Sequence, residues 1–152
     1  MLMELKPIAF IQNPRKIPED DNWGDIDSII TLADNVPVES LAGIELFSHA
    51  EIIYYFHLVD VEKIEYGARH PRNNESLPKM GIFAQRGKNR PNRLGVTTVK
   101  IIKREGNALY VNGLDAIDGT PVVDIKPVMK EFLPRESVEQ PAWVSEIMKN
   151  YW

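Results

Sequence analysis

Hydrophobic positions along this chain come in short alternating runs rather than in long helical stripes. "PIAFIQ", "SIITLA", "AEIIYYFHLV", "MGIFAQ", "VTTVKIIK", "ALYVNGL" and "PVVDIK" are rich in Val, Ile, Tyr, Phe and Thr. Those residues fit a pleated, half-buried surface, so each run predicts a strand. Turn residues separate the runs. "REGNA", from Arg104 to Ala108, predicts a hairpin in which Gly106 and Asn107 supply the permissive backbone. Asp118-Gly119, between two apolar runs, predicts a second. The fold class that follows is mainly β: a small single-sheeted β-barrel, closed or nearly so, because closure removes exposed sheet edges.

Two regions break the pattern. Asn13 to Asp27, "NPRKIPEDDNWGDID", is a polar loop punctuated by Pro14, Pro18 and Gly24, long enough to suggest a functional lid. The tail "QPAWVSEIMKNYW" opens with Pro141 and spaces Trp143, Ile147 and Tyr151 four apart, with Val144 and Met148 alongside. That stripe predicts a short C-terminal helix, able to cap the barrel or to join a second copy.

Composition narrows the class. A chain of 152 residues with 43% hydrophobic content suits one folded domain over 1–152. Cysteine is absent, which removes disulfides, thiolate nucleophiles and Cys-based zinc sites. The opening "MLMELKPIAFIQNP" has no basic n-region, and no apolar run reaches membrane-spanning length, so the expected setting is cytoplasmic.

Charge then changes the picture. The formal net charge is −4, yet eight Lys or Arg and no acid fall between Lys79 and Arg104, leaving ten bases against twenty-two acids elsewhere. "QRGKNRPNRLG" concentrates Arg86, Lys88, Arg90 and Arg93 among Gly87, Asn89, Pro91 and Asn92. Backbone amides and amide side chains among bases suit phosphate, so this stretch suggests an anion-binding or nucleic-acid-facing surface. Arg86 could instead take a small carboxylate, which its guanidinium fork matches.

"GLDAIDGTPVVDIKP" carries the acids of interest. Asp115, Asp118 and Asp124 could act as general bases or hold ribose hydroxyls. Asp118 also reads as a plain turn residue, and Asp124 as a partner of Lys126. His49 and His57 are eight apart and would share a face on an unbroken strand, but no third metal ligand stands at suitable spacing, so no metal is expected. His57 could line a pocket; His70, before Pro71, reads as solvated. Walker A, GxGxxG and GxSxG patterns are absent.

"GIFAQRGKNRPNRLG" and "GLDAIDGTPVVDIKP" together resemble the TsaA-like (TrmO, YaeB) family, whose usual forms are close to "GxFATRSPxRPNPIG" and "GLDxxDGTPVLDIKPY". "PIAFIQNPRK" and "LAGIELFSHAEIIYYFH" resemble the family's opening strand and its "FSH…FH" segment, so the likeness runs from about Pro7 to Pro127. It implies a β-barrel, usually dimeric, that binds S-adenosylmethionine without a Rossmann fold and methylates N6 of threonylcarbamoyl-adenosine beside the tRNA anticodon. By the same resemblance the cofactor contacts fall on His57, Arg86, Asp115, Ala116, Ile117 and Asp118. Lys88, Arg90, Asn92 and Arg93 are then the expected RNA-facing residues. Gln85 and Gly87 replace the family's Thr and Ser, Arg93-Leu94 replaces Pro-Ile, and Val128 stands where Tyr is common. The family's early "PRQ" loop has no clear counterpart, "IPEDDNWGD" standing there instead. Two alternatives stay open at this point: a nucleic-acid-binding barrel without catalysis, and a methyltransferase acting on a small molecule.

Overall fold

The alternation along the chain becomes a barrel wall. The computed structural model describes residues 1–152 and contains β1 (Ala9–Gln12), β2 (Asp27–Leu32), β3 (His49–Tyr55), β4 (Ala68–Arg69), β5 (Met80–Gly81), β6 (Leu94–Glu105), β7 (Ala108–Asn112), β8 (Pro121–Pro127) and helix α1 (Ala142–Met148). Six strands close a barrel in the order β1-β2-β7-β6-β3-β8, all neighbours antiparallel. β1 shuts it by pairing with β8 at Ala9↔Val122 and Phe10↔Pro121.

Every second residue points inward, as the period of a strand requires. Ala9 and Ile11, Ile30 and Leu32, Ala50, Ile52 and Tyr54, Val99, Leu109, Val111 and Val122 fill the interior. β6 runs along two partners in turn, pairing with β3 up to Lys100 and with β7 from Lys100 onward. An irregularity between Ile101 and Lys103 bends it at that change. The β6–β7 connection is the expected two-residue hairpin, Glu105 facing Ala108, with Gly106 at φ 58.

Three expectations change. "MGIFAQ" is not a barrel strand: only Met80–Gly81 pairs, with Ala68–Arg69, and Ile82–Ala84 is a 3-10 turn. The Gln85 side-chain amide donates to the carbonyls of Arg69 and Met80, at 2.9 Å each, and so ties the turn back onto the short strand pair. Asp118-Gly119 is a turn, with Gly119 at φ 81 and Thr120 N–H donating to Ile117 O, but it joins no hairpin. Both edges of β7 are already taken, by β2 and β6, so β8 must pair elsewhere. Residues 113–120 instead cross the barrel end and bury Leu114, Ala116 and Ile117 in it. β3 stops at Tyr55, so His57 lies beyond the strand that carries His49.

The tail also departs from simple capping. α1 has no fully buried residue, and the residues after it make the contact with the barrel end. Asn22 and Trp23 N–H donate to the carbonyls of Asn150 and Tyr151, at 2.9 and 2.8 Å. Trp152 lies so close to Gly24 that a β-carbon there would come within 2.6 Å of the Trp152 backbone.

Gly95, at the start of β6, is a second position where only glycine fits. A β-carbon would lie 2.6 Å from the Tyr54 ring and 2.9 Å from that of Phe56, which meet edge-on at 5.4 Å between centroids. Tyr54 is 2% exposed and has nowhere to retreat. Gly95→Ala is therefore expected to lose about 1–3 kcal/mol through overpacking, read as a lowered midpoint in urea unfolding with the slope unchanged. A midpoint equal to the parent's would mean that the ring pair shifts freely.

Candidate functional site

The barrel end crossed by residues 113–120 gathers the chemistry, and Asp115 is its centre. Three hydroxyls from three distant segments converge on this one carboxylate. Tyr54 on β3 donates to Oδ1 at 3.1 Å, and Thr97 on β6 donates to the same oxygen. Tyr151, from the tail, donates to Oδ2. Burial first, and then the Asp115 charge, pushes both phenols far above the ordinary tyrosine value, while the Arg86 charge works against that shift. The phenols therefore stay protonated as donors, and Arg86 is identified as the cation of the same neighbourhood.

Arg86 is exposed at the rim, with Nη2 donating to Val96 O. That contact uses one of the five guanidinium donors and leaves the rest available. His57 is half-buried with Nε2 near Gly119, 3.9 Å from where a β-carbon would stand. Burial holds its imidazole below the ordinary histidine value. Residues 115–117 share one backbone feature. Their carbonyls are engaged inward, by the Tyr54 hydroxyl, the Asn13 side-chain amide and Thr120 respectively. Their N–H groups donate to no acceptor within the chain.

Asp118 closes the other side. Its carboxylate accepts from Asn13 N–H at 3.0 Å and pairs with Lys16 at 2.7 Å. Asn13, almost fully buried, also donates to Ser28 Oγ at 3.0 Å and to Ala116 O at 2.7 Å. The 13–27 loop is thus a pinned platform rather than a free lid. Arg15 donates to the carbonyls of Asp21 and Asn22, pairs with Glu19 at 2.9 Å and lies over the buried Trp23 ring at 4.5 Å. Lys16, near the start of this loop, ties it directly to Asp118.

The basic stretch divides by use. Arg90 donates to Gln85 O at 2.7 Å and folds its own loop. Arg93 donates to Val59 O at 3.2 Å and lies over the Tyr55 ring at 4.8 Å. Those contacts hold it at φ 50, a left-handed backbone that costs a non-glycine residue about 1–2 kcal/mol. Asn92, at φ 63, is exposed beside it, and asparagine tolerates that conformation best after glycine. Lys88 is exposed, and although its carbonyl accepts from Arg90 N–H, its side chain makes no ion pair or hydrogen bond within the chain. Arg86, Lys88 and Asn92 are the members of the stretch whose side chains face outward.

Other candidates fall outside this grouping. Asp124 pairs with Lys126 at 2.8 Å, as its spacing suggested. His49 is exposed on β3 beside Ser48. His70 is half-buried and bonds Leu77 O at 2.8 Å rather than facing solvent. No three His, Asp or Glu side chains cluster as a metal site would require. A cleft of about 640 Å³ opens beyond Asn13 and Lys16, toward Ile102, Lys103 and Tyr110, and excludes Asp115, Arg86 and His57. The converging donors and acceptors, not this cleft, define the site.

The fold and site define a closed six-stranded barrel whose end gathers a carboxylate, an arginine with unused donors and backbone amides without acceptors in the chain, beside a basic stretch. The chain belongs to the tRNA-methyltransferase O family: the model of that family's N-terminal domain matches residues 9–132. It is 41% identical over 107 residues to a human tRNA (adenine(37)-N6)-methyltransferase, covering 70% of this chain and 24% of that protein. It is 36% identical over 138 residues to a probable S-adenosyl-L-methionine-binding protein of Pyrococcus abyssi, covering 88% of this chain and 72% of that one. The crystal structure of TrmO from Pseudomonas aeruginosa superposes with a TM-score of 0.75 at 26% identity, over 94% of this chain and 62% of that one. The chain thus spans about a quarter of the human relative's length.

Sequence reasoning missed Tyr54, Thr97, Tyr151, Asn13 and Lys16 as parts of the site. Tyr54 and Tyr151 read as members of apolar runs, and their hydroxyls become informative only when Asp115 lies opposite. Asn13 beside Pro14 reads as an ordinary loop start.

The Lys16 hydrogen bond, followed by that of Asn13 N–H, holds the Asp118 carboxyl below its usual range. A depressed folded value stabilises above the ordinary carboxylate value of about 3.9 and is lost as pH falls through the folded value. Asp118→Asn is therefore expected to melt below the parent at neutral pH, with the gap closing as the pH is lowered below the ordinary carboxylate value of about 3.9. Thermal melts across that range check it; a gap independent of pH would contradict the pairing.

Proposed function

We propose that this chain binds S-adenosylmethionine at the Asp115 end of the barrel and directs its methyl group to N6 of an adenosine in tRNA. The observation that carries this reading is the set of backbone N–H groups at Asp115, Ala116 and Ile117. They are left without acceptors beside a carboxylate and an arginine fork. Acceptor atoms of a purine or ribose suit the amides, hydroxyl or amine donors suit Asp115, and a carboxylate suits Arg86. The donor set therefore fits the cofactor. The likeness to proteins named for binding it supports the same reading.

When bound, S-adenosylmethionine supplies a methyl group made electrophilic by a sulfonium. The chain's own work is orientation: Asp115, locked by three hydroxyls, holds one fixed acceptor direction, and Arg86 anchors from the rim. His57 and Asp118 complete the wall from the Gly119 side. Fixing two reactants in line accounts for much of such a rate enhancement. The acceptor that belongs with this reading is threonylcarbamoyl-adenosine beside the anticodon. RNA phosphates then meet the outward face of the basic stretch, through Lys88 and Asn92, with Arg90 and Arg93 keeping its shape.

Calorimetry tests the cofactor half. The parent should bind S-adenosylmethionine, and Arg86→Ala should weaken binding by about 1–3 kcal/mol, the loss expected when a charged ligand group loses its partner. Absence of heat with the parent would leave a nucleic-acid-binding barrel without catalysis.

Titration with tRNA tests the other half. The log–log salt dependence of binding should be shallower by nearly one unit in Lys88→Ala, and tRNA recovered after incubation with the cofactor should carry the mass of one added methyl on the modified adenosine. Cofactor binding with no salt-sensitive tRNA binding would point to a small-molecule acceptor instead.

A further inference from the structure

The family match ends at residue 132, yet one of the three hydroxyls on Asp115 comes from residue 151. This contact is not a loose touch. The segment carrying it is held by Asn22 and Trp23, whose N–H groups donate to Asn150 O and Tyr151 O, and bare Gly24 leaves room for Trp152. Tyr151 and Trp152 stack edge-on with centroids 4.9 Å apart, so fixing one ring fixes the other. The three hydroxyls share the carboxylate unequally. Oδ1 takes Tyr54 and Thr97, whereas Oδ2 takes Tyr151 alone. A carboxylate offers about four acceptor positions, two on each oxygen. One position on Oδ2 is therefore left, beside the Tyr151 hydroxyl.

We propose that Tyr151 is a positioning residue of the ligand site: delivered by the tail, its hydroxyl fixes Asp115 Oδ2 so that the remaining acceptor position faces a hydroxyl or amine of the ligand. Resting on the reading of the site given above, this extends it to a part of the chain that the family's matched region does not contain. Burial, followed by the Asp115 charge, raises the Tyr151 phenol far above the ordinary tyrosine value, so it remains a donor at neutral pH. The carboxylate is thereby held from both ends, by the barrel at Oδ1 and by the tail at Oδ2. The platform loop and the tail become one wall, because the same segment that delivers Tyr151 also binds Asn22 and Trp23.

Two variants separate positioning from mere packing. Tyr151→Phe removes the hydroxyl and keeps the ring. Gly24→Ala places a β-carbon against the Trp152 backbone and undocks the tail. In ligand-free protein, the Asp115 carboxyl carbon resonance should move in both variants. The Asn22 and Trp23 amides should keep their exchange protection in Tyr151→Phe and lose it in Gly24→Ala. Calorimetry with S-adenosylmethionine should then show affinity about tenfold weaker in Tyr151→Phe, the effect of one lost charge-assisted hydrogen bond. An unmoved Asp115 resonance in Tyr151→Phe overturns the proposal whether or not the cofactor binds. A moved resonance with parent-like affinity overturns it too, leaving Tyr151 a structural strut. If the parent binds no cofactor while the resonance moves, the functional reading fails and the positioning of Asp115 stands.

Discussion

One carboxylate holds this barrel end together. Asp115 draws a phenol from β3, a hydroxyl from β6 and a phenol from the tail into contact, and these segments are otherwise remote in sequence. A half-buried charged group is costly unless hydrogen-bonded, and charge-assisted bonds are the strongest available to offset that cost. Removing the charge would strand three hydroxyls; removing a hydroxyl would leave the charge underbonded. The group is therefore both a structural knot and the most directional acceptor at the surface of the site.

Much of the local architecture follows from feeding that knot. Gly95 is bare so that Tyr54 can lie flat beneath β6. Gly24 leaves room for Trp152, and so for the residue before it. Leu114, Ala116 and Ile117 bury themselves on either side of Asp115 and plug the barrel, while residues 115–117 turn their carbonyls inward and leave their amides without acceptors in the chain. The apolar plug and the polar site are one segment viewed from two faces.

The basic stretch shows how composition overstates a surface. Four bases lie close together in sequence, but two of them, Arg90 and Arg93, spend their guanidinium groups on carbonyls and a tyrosine ring. Such contacts let residues with left-handed backbone persist in a loop without regular structure. What faces outward is a smaller set, Arg86, Lys88 and Asn92, on a frame that the other two arginines hold rigid.

Alternation by itself determined the wall of the barrel: β1, β2, β3, β6, β7 and β8 lie on runs that read as strands, because side-chain period and burial are local properties of a half-buried sheet. The Gly106 hairpin was legible for the same reason, since loop length and one permissive residue suffice. Motif spelling carried the family and placed His57, Arg86 and residues 115–118 at one end. What the chain could not announce locally was decided by partners far away. "MGIFAQ" has strand composition, but the chain turns at Ile82–Ala84 and Gln85 ties that turn back to Arg69 and Met80. Asp118-Gly119 has hairpin chemistry, but both edges of β7 were occupied. Tyr151 belonged to an apolar stripe until folding set it against Asp115, thirty-six residues away in sequence. Hydrogen-bond demand at a half-buried charge is a non-local constraint, and only the closed barrel reveals which hydroxyls meet it.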